Sequence, residues 1–173
     1  SVFRCEGVLN VSSLELAFKK MIVRHEILRT IFKEDQKGIP GQFILPKEAV
    51  SFEIVRHSTE NTNHTTEEIH DILHKKITSE FNLSTGPLFK IGTLPINSKE
   101  TILCCVFNHI IVDGWSMFLI MKETLKFYDE IEGQRAPTIT PLEIQYKDYS
   151  VWQENIMETG EMESQKEYWE KKL

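Results

Sequence analysis

Cysteine is scarce in this chain of 173 residues: there are three, two adjacent at Cys104 and Cys105 and the third far away at Cys5. That number and spacing make no disulfide framework and fit reduced thiols, which reads as a cytoplasmic protein. Long apolar runs are missing too. The most apolar uncharged stretch, residues 101–112, is well short of the ~18–20 residues that a membrane-crossing helix needs. Nor is there an excess of positive charge. Twenty basic against 26 acidic side chains leave a net charge of −6, which argues against a general hold on nucleic-acid phosphates. Neither an internal repeat nor a low-complexity tract occurs. The chain opens at Ser1 without a basic segment or an apolar leader, and we read it as a piece of a longer protein. With 40% hydrophobic and 27% charged residues, it has the composition of one globular unit, not of a fibre or a disordered segment.

Periodicity predicts mixed strands and helices. Residues 2–9 have strand-like content, and Ser12 with Glu15 forms a capping-box pattern for a helix running toward His25. Leu14, Ala17, Phe18, Met21 and Ile22 would bury one stripe of it. Short β-prone runs follow at 30–32, 42–45 and 52–55, separated by glycine- and proline-bearing turns. Thr65 and Glu68 offer a second capping box for a helix that stops near Asn82. Residues 88–94 read as a strand, and 102–107 are apolar at every position, so both faces of that strand are expected to be covered. Phe118, Met121, Leu125 and Tyr128 set a further helical stripe that ends near Gly133. Two last helices are expected at 146–156 and 161–173. This order suggests an α/β fold in α+β layers around one sheet.

The most informative stretch is Phe107-Asn108-His109-Ile110-Ile111-Val112-Asp113-Gly114-Trp115-Ser116, where polar groups appear suddenly at the end of a buried strand. Burying such groups without partners costs on the order of 1–3 kcal/mol each. The bland account is a core histidine with a satisfied hydrogen bond beside a turn carboxylate. The functional account draws on resemblance. The stretch resembles the His-His-x-x-x-Asp-Gly signature of condensation domains in nonribosomal peptide synthetases, with His109 at the second histidine and Asn108 where the family usually has the first. Residues 24–32, Arg-His-Glu-Ile-Leu-Arg-Thr-Ile-Phe, are similar to that family's Arg-His-Glu-x-Leu-Arg-Thr-x-Phe segment. Phe81-Asn82-Leu83 with Gly86-Pro87-Leu88, and Tyr146-Lys147-Asp148-Tyr149-Ser150-Val151-Trp152, resemble two further family motifs in the expected order.

This resemblance implies a two-lobed architecture similar to chloramphenicol acetyltransferase, with a tunnel between the lobes. Residues 1–173 would form the N-terminal lobe, a mixed central sheet with flanking helices. The family's opening motif would precede Ser1, and the C-terminal lobe would lie outside the chain. The implied activity is amide formation between a donor acyl or peptidyl thioester and the amine of an acceptor aminoacyl thioester. Both would arrive on the 4'-phosphopantetheine arms of peptidyl carrier domains, with an adenylation domain as neighbour. No cofactor or metal bound by the chain itself is implied, and this piece alone is expected to be inactive.

His109 is the implied catalytic residue, taking or holding a proton as the amine attacks. An α-amino group with a pKa of ~7.7–8.0 is already partly uncharged near neutrality, so positioning should supply the larger share of the rate. Asp113 is expected to pair with Arg24, or failing that with Arg29, and so to fix the loop. Gly114 would permit close approach of the thioester or its arm, whereas Trp115 is assigned to packing. Asn108 also keeps open a second class of function, a noncatalytic or degenerate module that binds carriers. An epimerisation domain is disfavoured by Gly114-Trp115-Ser116, a cyclising domain by His109, and a coenzyme A acyltransferase by the matches at 24–32 and 146–152. His70 and His74 lie one helical turn apart like a zinc helix, but no third ligand is evident. Cys104 and Cys105 would point to opposite faces of one strand and cannot grip a metal together.

Overall fold

The computed structural model describes residues 1–57 and 80–173 and divides into two compact units, Ser1–Thr140 and Pro141–Leu173. In the first unit, β1 (Val2–Glu6), β6 (Glu100–Phe107), β5 (Phe89–Asn97) and β4 (Val55–Arg56) form a sheet in that spatial order. Strands β1, β6 and β5 are antiparallel neighbours, whereas β4 runs parallel to β5, pairing Val55 with Gly92. The sheet is therefore mixed. A separate hairpin pairs β2 (Thr30–Glu34) with β3 (Pro40–Ile44).

The unbroken apolar run in β6 has its explanation in two cores. Leu103 and Cys105 join Phe89 and Ile91 in the main cluster, while Ile102 and Cys104 pack with Leu94 in a second cluster. Alternating side chains thus enter apolar surroundings on both faces. The adjacent cysteines do fall on opposite faces, and burial pushes the Cys105 thiol up to about 12. A column of aromatic rings crosses the main core, with centroids 5.9 Å apart for Phe18–Phe52, 5.4 Å for Phe52–Phe89 and 5.5 Å for Phe89–Phe107. It leads to the last residue of β6.

Helix α1 (Val11–Arg24) buries Leu14, Ala17, Phe18, Met21 and Ile22, the expected stripe. Its start differs from the sequence reading. Asn10, not Ser12, is the N-cap, its side-chain oxygen accepting from the N–H groups of Ser12 and Ser13 at 3.2 Å. Glu15 instead accepts from Lys19 and from the Ile54 N–H.

Helix α2 (Gly114–Glu132) packs against α1. Half of the expected stripe is covered, with Met121 and Tyr128 packed partly buried against the main core. Ile120, Thr124 and Phe127 are buried, whereas Phe118 and Leu125, assigned to the core from spacing, are exposed. The covered side is therefore rotated from the expected one toward Ile120, Thr124 and Phe127. The second unit holds α3 (Tyr146–Glu158) and α4 (Glu163–Lys172). Within α3, Asp148 accepts from the Gln145 N–H at 2.8 Å, and Tyr146, Tyr149 and Trp152 form a ring ladder at helical spacing. No helix among the described residues is long and apolar enough to cross a membrane. The helix expected from Thr65, with His70 and His74, lies outside the described residues.

Candidate active site

The loop between β6 and α2 is built by short-range hydrogen bonds. Asn108 donates its N–H to the Leu88 carbonyl at 2.8 Å, which continues the β5–β6 ladder by one step. Its side-chain oxygen accepts from the Ile110 N–H at 3.0 Å, and its carbonyl accepts from Ile111 at 3.1 Å. This is the local turn that a short amide side chain favours. Asparagine at this position therefore shapes the loop itself. Ile111 and Val112 return to the core, 6% and 7% exposed, while His109 and Ile110 at the tip face water. The bland account of a buried core histidine does not hold.

Asp113 caps α2. Its Oδ1 accepts from the Ser116 N–H at 2.7 Å. The Ser116 side-chain and backbone hydrogen bonds hold the Asp113 carboxyl below the usual aspartate range, and the nearby charge of His109 adds in the same direction. Because the folded-state pKa is lowered, the cap's contribution is complete above the ordinary aspartate pKa of ~3.9. It is lost as pH falls through the lower folded-state value. The melting temperature of Asp113→Ala is thus expected to lie below the parent's at neutral pH, with the gap closing in acid. A gap that stays constant down to the acid limit would show that the carboxylate does not act as the cap.

The expected ion pair of Asp113 with Arg24 is not what forms. Arg24 Nε donates to Glu123 Oε2 at 2.9 Å, and His25 Nε2 lies 2.7 Å from the same oxygen. Arg24 also donates from Nη1 to the Thr140 carbonyl. Burial pushes the Glu123 carboxyl up, but the hydrogen bonds and charges of His25 and Arg24 outweigh it and leave the group below the usual glutamate range. Arg29 is engaged elsewhere, donating to the Leu45 carbonyl at 2.6 Å and to Glu26 at 3.1 Å. It lines a cleft of about 220 Å³ with Leu28, Ile31, Leu45, Val50 and Gly86, and His109 is not among the lining residues. Gly86, at φ +63°, could not carry a side chain there without pressing on Ile31 Cγ2 at 3.1 Å. Of the sequence candidates, Asn108, His109, Asp113 and Gly114 share one loop, and the two arginines stand apart from it. Sequence reasoning missed Glu123, a lone acid between Lys122 and Thr124 that reads locally as part of a solvated face.

Large apolar side chains are exposed where α2 leaves the His109 loop. Trp115, assigned to packing from the sequence, is 75% exposed, and Phe118 and Leu119 are exposed beside it on the first turns of α2. A side chain at Gly114 would meet nothing within 4 Å, so packing within the chain does not demand glycine.

The family model described as Condensation domain matches residues 1–173. The chain belongs to the condensation domain family. Relatives of this condensation-domain chain are nonribosomal peptide synthetases. It is 38% identical over 172 residues to cyclosporin synthetase simA of Tolypocladium inflatum. It is 35% identical over 172 residues to nonribosomal peptide synthetase kk1B of Curvularia clavata. Each alignment covers 98% of the chain but 1% of the synthetase. Among solved structures, the X-domain from teicoplanin biosynthesis matches at 28% identity with a TM-score of 0.77, over 94% of this chain and 34% of that one. The starter condensation domain of rhizomide synthetase RzmA matches at a TM-score of 0.86 over 99% of this chain and 41% of that one; at 17% identity it shows the fold alone. The architecture is thus the mixed, layered α/β fold of condensation domains, which is chloramphenicol acetyltransferase-like.

Proposed function

We propose that this chain is the N-terminal lobe of a condensation domain that forms an amide between two carrier-bound thioesters. The observation that carries this reading is the exposed imidazole of His109, held at the end of a buried hairpin within the family signature. In the reaction, the acceptor's amine nitrogen attacks the donor's thioester carbonyl carbon. The C–N bond forms, the C–S bond breaks, and the donor's phosphopantetheine thiol leaves. The proton lost by the amine ends on that sulfur. His109 accepts it or holds the amine in line by a hydrogen bond, and an imidazole is the side chain best suited to either role near neutral pH. Most of the rate would come from holding two tethered reactants together, worth roughly 7–11 kcal/mol. The exposed Trp115, Phe118 and Leu119 suit contact with a pantetheine arm or with a second lobe. The donor and acceptor carrier domains, a C-terminal lobe, an adenylation-domain neighbour and a cytoplasmic location belong to the same reading. No cofactor held by this chain is needed.

The test is to load donor and acceptor carriers with aminoacyl thioesters and follow the dipeptidyl thioester by mass spectrometry. A two-lobed domain containing this chain is expected to form it, and the chain alone is not. Absence of product from the two-lobed domain would overturn the reading. Gly114→Ala sharpens it. Gly114 has no left-handed φ and a Cβ there meets nothing within 4 Å, so the variant's melting temperature should not fall, yet condensation should slow if thioester or arm passes that backbone. Parent-like turnover would remove Gly114 from the site.

A second reading, a module that docks a partner without chemistry, is favoured by Asn108 and by likeness to an X-domain. That X-domain also appears in a solved complex with OxyB, matched at 27% identity and a TM-score of 0.75. Carrier binding without product formation would select it.

A further inference from the structure

The first turns of α2 carry the motif, and of their large side chains only Met117 packs against the main core, partly buried. Gly114, Trp115, Phe118 and Leu119 are exposed, and the first buried side chain is Ile120. From there Ile120 and Phe127 seat the helix in the main core. Such apolar contact is non-directional and tolerates small slips along or about the helix axis. Directional restraint comes from both ends of α1. Asn10, its N-cap, donates to Tyr128 Oη at 3.1 Å and to Glu132 Oε1 at 3.0 Å, far from the motif. Glu123, one turn beyond Ile120, is the restraint nearer the motif. Its Oε2 accepts from Arg24 Nε at 2.9 Å and meets His25 Nε2 at 2.7 Å, and its Oε1 lies 3.4 Å from Arg24 Nη2. The donors stand at the last residue and the C-cap of α1. Arg24 and Glu123 are 13% and 24% exposed, so these charge-assisted bonds are less screened than a surface pair. A slip of α2 against α1 would stretch all of them at once.

From Glu123 the helix runs about 15 Å back to Asp113. Asp113 is bonded to Ser116, and the buried Ile111 and Val112 join it to the loop of Asn108, His109 and Ile110. We propose that Glu123 is a positioning residue for His109: by registering α2 against the end of α1, it fixes the Asp113 end of the loop whose other end is held by the Asn108 turn. The inference rests on the role of His109 proposed above, but its structural consequence can be measured without catalysis.

The experiment compares parent and Glu123→Gln in the two-lobed domain by amide hydrogen exchange and by kinetics. Exchange is expected to quicken about tenfold at the Ile110, Ile111 and Ser116 N–H groups, with β5 and β6 unchanged. kcat should fall about 10- to 100-fold with KM unchanged. Exchange that rises throughout the domain means general destabilisation and overturns the inference, as does exchange that rises nowhere. Parent-like kcat with a loosened loop overturns it as well. If Glu123→Gln does not fold, His25→Gln, which leaves the Arg24–Glu123 pair in place, must show the same confined loosening, and its absence overturns the inference. A parent domain without condensation activity would sink the proposed function, while the exchange data would still decide the role of Glu123.

Discussion

Replacing His109 with alanine is expected to slow amide formation by about 10²–10⁴-fold, the usual worth of a positioned acid–base group. The loop explains why the effect should fall on rate and not on folding. His109 is exposed, whereas the turn that holds it is made by the Asn108 side chain, by the Asn108 N–H on Leu88, and by Ile111 and Val112 entering the core. None of those contacts uses the imidazole. The melting temperature should therefore stay at the parent's, and carrier binding should persist. Residual turnover should remain, because reactants delivered on tethers keep the benefit of proximity. A two-lobed His109→Ala domain that forms dipeptidyl thioester at the parent rate would refute the assignment. A collapse in melting temperature would refute the account of the loop.

Phe89→Ala is expected to have the largest effect on stability, about 3–5 kcal/mol. Phe89 is 2% exposed and sits between Phe52 and Phe107 in the ring column. Its removal opens a cavity that neighbours on paired strands cannot collapse to fill. A domain of this size has only about 5–15 kcal/mol in all, so much of the chain would be unfolded near physiological temperature. Phe107, which stacks on Phe89 and directly precedes Asn108, would lose its support as well, so the His109 loop should loosen before the fold is lost. Urea unfolding followed by fluorescence measures this, with exposed Phe118→Ala as the contrast expected to change little. Equal shifts for the two variants would mean that the ring column is not the core.

What could be read locally was read where one physical influence dominates. The α1 stripe was legible because a single face of that helix meets the core. The double burial of β6 was legible because charge is absent from 102–107. Resemblance of 24–32 and 108–116 to family motifs was enough to name the expected fold. The N-cap was misassigned because Asn10 and Ser12 are both capping residues two positions apart, and their local preferences nearly tie.

The sequence by itself determined the alternation of strands and helices, the two-faced burial of Cys104 and Cys105, and a polar loop after the last strand, all consequences of spacing along the chain. Only the tertiary structure decided that Ile120, Thr124 and Phe127 are buried and that Phe118 and Leu125 are not. It also decided that Glu123 takes Arg24 and His25, while Asp113 turns to Ser116. The reason is that a charge's partner depends on which side chains the fold brings within about 3–4 Å, and the separation of 99 residues between Arg24 and Glu123 leaves no local periodicity to reveal it.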